Sequence, residues 1–223
     1  MINAADANAL WLTLQLALAS TLILLLLGTP LAWWLAHSRA RLRPLIEAVI
    51  ALPLVLPPTV LGFYLLISLG PDGLGGLLAP WTGRNTLAFS FGGLLIGSVV
   101  YSLPFVVQPL QSGFALLGRA PMEAAATLRA SPLDAFVSVA IPQTKPAFIS
   151  AATLGFAHTL GEFGVVMMLG GNIPGHTKVA SIAVYEHVEA LRYGNAHILS
   201  AVLLLISFTL LCVVYTTQRR TAH

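Results

Sequence analysis

Residues 11–36 read WLTLQLALASTLILLLLGTPLAWWLA, a run without a single Asp, Glu, Lys or Arg. An α-helix rises 1.5 Å per residue, so about 20 apolar residues cross the roughly 30 Å of hydrocarbon in a bilayer. The run is longer than that and apolar on every face. It therefore reads as a membrane span, and its flanks, Asp6 on one side and Arg39 on the other, mark where the chain returns to water.

The same test, moved outward, organises the rest of the chain. Glu47 and Asp72, Arg84 and Arg119, and Arg192 and Arg219 bound three more stretches without acid or base, each long enough to cross. A fifth apolar run, Pro146–Met168, carries one acid, Glu162. Spans are expected near Trp11–Ala36, Leu45–Leu69, Leu87–Leu110, Pro146–Met168 and Ala196–Thr216. The fold class is all-α: a polytopic membrane protein of about five transmembrane helices, one domain over residues 1–223. With 57% hydrophobic and 9% charged residues, and a mean hydropathy of +0.86, the chain has too little charge for an ordinary soluble surface.

Five spans put the two termini on opposite sides, and the basic residues choose which. If the loop after the first span is cytosolic, then Arg39, Arg41, Arg43, Arg119, Arg129, Lys145, Arg219 and Arg220 all lie inside, against Arg84, Lys178 and Arg192 outside. Eight against three is a positive-inside bias, so the N-terminus is expected outside and the C-terminus in the cytosol. The first apolar run is too long for a signal-peptide core and reads as a retained span. Cys212 is the one cysteine and lies in the last span, which leaves no intrachain disulfide and no cysteine metal site. Basic residues are too few and too dispersed for a nucleic-acid surface.

This orientation makes the segment at about 119–145 a cytosolic loop between spans. Pro121 suits the first turn of a helix, and Met122-Glu123-Ala124-Ala125-Ala126-Thr127-Leu128 are mostly strong helix formers. Ser131-Pro132 breaks or restarts it, and a second short helix from Leu133 leads to Val139-Ala140-Ile141-Pro142. Composition alone would also fit an interfacial amphipathic helix. The spacing, however, resembles the cytoplasmic loop of ABC-importer permeases: Glu-Ala-Ala, three residues, Gly, nine residues, then Ile-x-Leu-Pro. Glu123, Ala124, Ala125 and Pro142 fall at the matching positions, whereas Arg129 stands where that pattern has Gly. Leu52-Pro53-Leu54-Val55-Leu56-Pro57-Pro58-Thr59-Val60-Leu61-Gly62, Leu160-Gly161-Glu162-Phe163-Gly164 and Gly171-Asn172-Ile173-Pro174-Gly175-His176-Thr177 resemble the molybdate ABC transporter permeases, the last two in a form shared with sulfate permeases.

The resemblance implies a permease subunit of an inner-membrane importer for molybdate, with tungstate or sulfate as alternatives. It also implies two ATP-binding subunits, a second copy of the permease and an extracytoplasmic molybdate-binding protein as partners. Glu123, Ala124, Ala125 and Pro142 would couple the chain to the ATPase. The sequence holds no Gly-x-x-x-x-Gly-Lys-Ser/Thr phosphate loop, so ATP hydrolysis by that route is expected in a separate subunit, with no catalytic residue, cofactor or metal in this one.

Inside the spans, an acid is a functional candidate by default. Glu162 stands four residues after His158, the spacing of one helical face. A bare carboxylate would repel an oxyanion, so Glu162 is expected to be neutral or hydrogen-bonded and to shape a gate. Thr59, Ser98, Ser102, Thr159 and Asn172 are the candidate polar groups along a pathway, each read equally well as a satisfied packing residue. Two rival classes stay open: a proton-coupled secondary transporter using Glu162 and His158, and a membrane enzyme, for which the scattered His176, His187 and His197 offer no evident cluster.

Overall fold

The computed structural model describes residues 3–83 and 85–221, and among them every regular element is helical. Arg84, counted above for orientation, lies outside the described residues, as do the side chains of Arg219 and Arg220. Helix α1 spans Ala4–His37, its start capped by the Asn3 side chain, which accepts from the Asp6 amide at 2.7 Å. Helices α2 (Arg43–Val55) and α3 (Pro58–Leu69) follow, then α4 (Phe91–Leu117) and the short α5 (Ala120–Thr127). The chain continues through α6 (Lys145–Leu160), α7 (Gly164–Gly170), α8 (Ala180–Glu189) and α9 (Tyr193–Thr221).

Four stretches are long and apolar enough to cross a bilayer, and α6 with α7 makes a fifth if the pair is one span bent by 57°. The second expected span differs most from its reading. Leu45–Leu69 is not one helix, because Leu56 and Pro57 are both extended, with ψ of 138° and 134°. Each precedes a proline, whose Cδ disfavours helical geometry in the residue before it. The stretch that passes as a crossing on its own is Pro58–Leu77. The third span is displaced from Leu87–Leu110 to Phe91–Leu117. Its first expected residues are drawn away by the end of α3: the Leu87 amide and the Thr86 hydroxyl both donate to the Leu69 carbonyl, and Ser90 then caps α4. The helix α8 was not anticipated.

Consecutive crossings alternate between two ends of the bundle. At one end Phe89 donates to the Leu169 carbonyl at 2.8 Å, and Ala180 donates to the Thr13 hydroxyl at 2.8 Å. At the same end His187 Nε2 and Asp6 Oδ1 lie 2.9 Å apart, a buried pair joining α8 to the first turn of α1. Gln111 of α4 donates to Glu47 of α2 at the other end. Arg39, Arg41, Arg43, Arg119, Arg129 and Lys145 belong to that second end by chain position, whereas Lys178 and Arg192 belong to the first.

The centre of the bundle is α1, α4 and α6, packed through Leu24, Leu35, Val106, Val107, Leu110, Phe114 and Ala151. Small residues permit the approach: a Cβ on Gly155 of α6 would sit 2.6 Å from the Val106 side chain, nearer than real atoms come. A second cluster joins α1, α4, α7 and α8 through Leu16, Leu94, Val165, Leu169 and Ile182. Helix α9 buries Ala196 and Leu199 and turns Leu204, Leu205 and Phe208 outward. In lipid such exposure costs little, because hydrocarbon replaces water as the solvent.

Candidate functional site

Two regions collect the residues singled out in the sequence, and they lie at different depths. The first is the segment around α5. Pro121 sits in its first turn, where a missing N–H costs nothing, and Glu123 is exposed near the helix N-terminus, where the dipole favours an acid. Ala124 is exposed, but Ala125 is buried within the chain, so the two alanines do not offer one common outer face. The helix ends in a Schellman motif: Ala130 donates to the Ala125 carbonyl and Arg129 to the Ala126 carbonyl. Arg129 takes φ of 63°, the left-handed conformation in which glycine is least strained. A turn that glycine would make without strain is thus made here by arginine.

The second half of the segment restarts as expected. The Ser131 hydroxyl accepts from the Asp134 amide, and Pro132 opens a single turn to Ala135. Residues Phe136–Ala140 then form a widened π-helical turn ahead of Ile141–Gln143. Pro142 has no N–H to donate and its ring would crowd the Ser138 carbonyl one turn back, which is where the widening falls. Pro142 itself is exposed. Leu128 (83% exposed), Leu133 (73%) and Val137 present apolar surface on this otherwise polar segment.

What ties the segment to the spans is Phe136, a residue not flagged in the sequence. Its ring meets Trp33 of α1 edge-on at 4.9 Å between centroids, and Phe114 of α4 at 6.0 Å. Phe114 in turn contacts Phe148 of α6 at 5.9 Å. Four aromatic rings from four segments therefore join the loop to all three central helices. No spacing along the chain relates these positions, so no local signal announces them.

The second region is a polar seam buried between α1, α4 and α6. The Ser20 hydroxyl lies 3.2 Å from Thr159 Oγ1, which lies 3.0 Å from Ser102 Oγ. Ser102 also shares a hydrogen bond of 2.9 Å with His158 Nδ1, whose ring stacks on Phe105 at 3.9 Å. One turn along α4, the Ser98 hydroxyl donates to Glu162 Oε2 at 2.9 Å. Ser98 and Ser102 are wholly buried, Thr159 is 2% exposed and Glu162 4%. Four of the six pathway candidates are therefore brought together, but closed against one another rather than open to a passing ion. Ser20 and Thr159 also bond carbonyls of their own helices, the usual way a hydroxyl is satisfied in a span.

Glu162 occupies the break between α6 and α7. Its backbone carbonyl accepts from the Ser181 hydroxyl at 2.5 Å, and its Oε1 is buried with no hydrogen-bond partner. His158 and Glu162 are each held by a different serine of α4, one turn apart. Thr59 and Asn172 stand away from the seam: Thr59 is exposed on the first turn of α3, and Asn172 is half-buried with φ of 55° in the loop after α7. His176 and His197 are exposed, and His187 is engaged with Asp6.

Apolar crossings around a close-packed core, a bent fourth span and a compact loop at one end define a multi-pass membrane protein. A family model described as "binding-protein-dependent transport system inner membrane component" matches residues 28–221. The chain is 55% identical over 214 residues to the molybdenum transport system permease protein ModB of Azotobacter vinelandii, covering 96% of this chain and 95% of that one. It is 34% identical to the probable sulfate transport system permease protein cysT of Chlorella vulgaris, over 92% of this chain and 77% of the other. A bacterial alginate ABC transporter, solved in complex with its alginate-bound periplasmic protein, superimposes with a TM-score of 0.77 over 98% of this chain and 80% of that one; at 16% identity the likeness is one of fold. The chain belongs to the binding-protein-dependent transport system inner membrane component family.

Proposed function

We propose that the chain, as one domain over residues 1–223, is the membrane permease subunit of an ATP-driven importer that conducts molybdate inward. The observation that carries the substrate is the 55% identity to a molybdenum permease along nearly the whole chain, against 34% to a sulfate permease. The end bearing Arg39, Arg41, Arg43, Arg119, Arg129 and Lys145 faces the cytosol, with the N-terminus outside and the C-terminus inside. Segment 119–145 then docks to an ATP-binding subunit, one on each of two permease copies. Glu123, Ala124 and Pro142 meet it directly, Ala125 seats the helix on its own chain, and exposed Leu128, Leu133 and Val137 supply apolar contact area.

Movement of that segment reaches the spans through Phe136, whose ring sits against α1 and α4, so closure of the ATPases is transmitted as rigid-body displacement. Because Ser98, Ser102 and Thr159 are sealed inside the chain, the ion travels along the outer face that a second copy would complete. Thr59 and Asn172 remain the polar groups available to it there. The seam acts as a fixed hub, and Glu162, at the break between α6 and α7, sets the bend of the fourth span. The absence of Lys and Arg from the crossings fits a low-affinity path, since a deep cationic trap would slow release of a dianion. Selectivity then rests with an extracytoplasmic binding protein.

Reconstituted in liposomes with its ATPase and binding protein, the chain is expected to accumulate radiolabelled molybdate only when ATP is present. Unlabelled tungstate should compete and sulfate should not. Uptake without ATP, driven by a proton gradient, would assign it instead to the secondary transporters; equal competition by sulfate would assign it to the sulfate permeases.

A further inference from the structure

Where α1 and α4 end, at the basic end of the bundle, the chain forms a half-open cavity of about 280 Å³. Its wall includes His37, Ser38, Arg39, Arg43, Gly118 and Arg119. The three arginines come from three separate places: the turn after α1, the first residue of α2 and the turn after α4. Gly118 makes the last of these possible, with φ of 67° and ψ of −163°, a region essentially closed to residues with a Cβ. Arg39 and Arg119 are exposed and Arg43 half-buried, so their charged ends stay available.

Positive charge at this depth is expected of any cytosolic loop, but its convergence on one cavity is not. Arg43 is held by Glu47 at 2.9 Å, which neutralises one cation. The carbonyl ends of α1 and α4 each bring about half a negative charge to the same place. Arg39 and Arg119 outweigh them by about one unit, the charge of a single phosphodiester. The surroundings suit the lipid headgroup layer: Leu42 and Leu45, flanking Arg43 in the chain, are both more than 60% exposed, and Trp34 is 40% exposed one turn before the end of α1. Apolar side chains and an indole next to a cationic cavity offer an acyl surface below and an anion site above.

We propose that this cavity binds the phosphate of an anionic phospholipid, held by Arg39 and Arg119 while the acyl chains lie along Leu42 and Leu45. Headgroup phosphate and free inorganic oxyanion share the same tetrahedral chemistry, and depth in the membrane favours the lipid. The inference rests on the membrane embedding of the chain and not on its cargo.

The test is native mass spectrometry of the full chain, purified in detergent with the subunits that accompany it and offered equal phosphatidylglycerol and phosphatidylcholine. One phosphatidylglycerol per chain should be retained, with a preference of about thirtyfold from two unpaired basic residues at an anionic surface. Arg39→Gln with Arg119→Gln should abolish the preference, the corresponding double lysine variant should keep most of it, and Lys145→Gln, outside the cavity, should leave it intact. Arg119→Gln alone, at an exposed turn, should lower it and guards against misfolding of the double variant. An undiminished preference in both glutamine variants would overturn the proposal. So would inorganic phosphate that binds the lipid-stripped chain at millimolar concentration and displaces phosphatidylglycerol.

Discussion

Truncating Phe136 to alanine should loosen segment 119–145 from the spans while leaving the bundle folded. The ring is half-buried, so on the order of 100 Å² of apolar surface is lost, about 2.5 kcal/mol at 25 cal/mol per Å². The edge-on contact with Trp33 adds about 0.5 to 1.5 kcal/mol, and the remaining alanine methyl recovers a similar amount. A net loss of about 2.5 kcal/mol lowers the ratio of docked to detached segment by roughly seventyfold. Hydrogen exchange should therefore quicken across 131–143 by up to that factor, with the amides of α1 and α4 unaffected. In liposomes, ATP hydrolysis should continue while molybdate accumulated per ATP falls steeply. Phe136→Leu, which restores much of the area without the ring geometry, should fall between. If Phe136→Ala leaves both the exchange of 131–143 and the uptake stoichiometry unchanged, the aromatic cluster does not transmit motion.

Arg129→Gly should remove the cost of a Cβ at φ of 63°, a gain of about 1 kcal/mol after the extra backbone entropy of glycine, seen as slower exchange of the Ala130 amide, which donates to the Ala125 carbonyl; faster exchange there would contradict the Schellman assignment. Asp6→Ala leaves His187 buried with neither ring nitrogen partnered, since its Nδ1 already lacks a partner, and should cost about 1 to 3 kcal/mol, read as a lowered unfolding temperature in detergent; an unchanged temperature would mean that α8 is not tied to α1 through this pair. For orientation, a cysteine at Ala40 in a Cys212→Ser background should be shielded from impermeant thiol reagent added outside intact cells, and one at exposed Asp72 should react; the reverse pattern would put segment 119–145 outside and end its docking role.

The membrane character of this protein was decided by the sequence alone, because a run such as residues 11–36 can satisfy its backbone and its side chains together only as a helix in hydrocarbon. The loop at 119–145 was equally legible: helix formers after Pro121, a cap at Ser131 and a proline at 142 act over a few residues, where local chemistry dominates. The turn at Arg129 was not legible, since arginine stands where glycine would adopt the left-handed conformation freely, and only the structure shows that conformation taken. The break at Leu56-Pro57 was partly legible, because consecutive prolines speak only for their immediate neighbours. Tertiary structure decided the rest. Ser20, Ser102 and Thr159 close into one seam, Phe136 finds Trp33 and Phe114, and Asp6 meets His187 across 181 positions, because a serine or a ring in an apolar run carries no mark of which helix it will face. Those pairings depend on how small residues such as Gly155 let three helices approach, and that is a property of packed surfaces rather than of any stretch of chain.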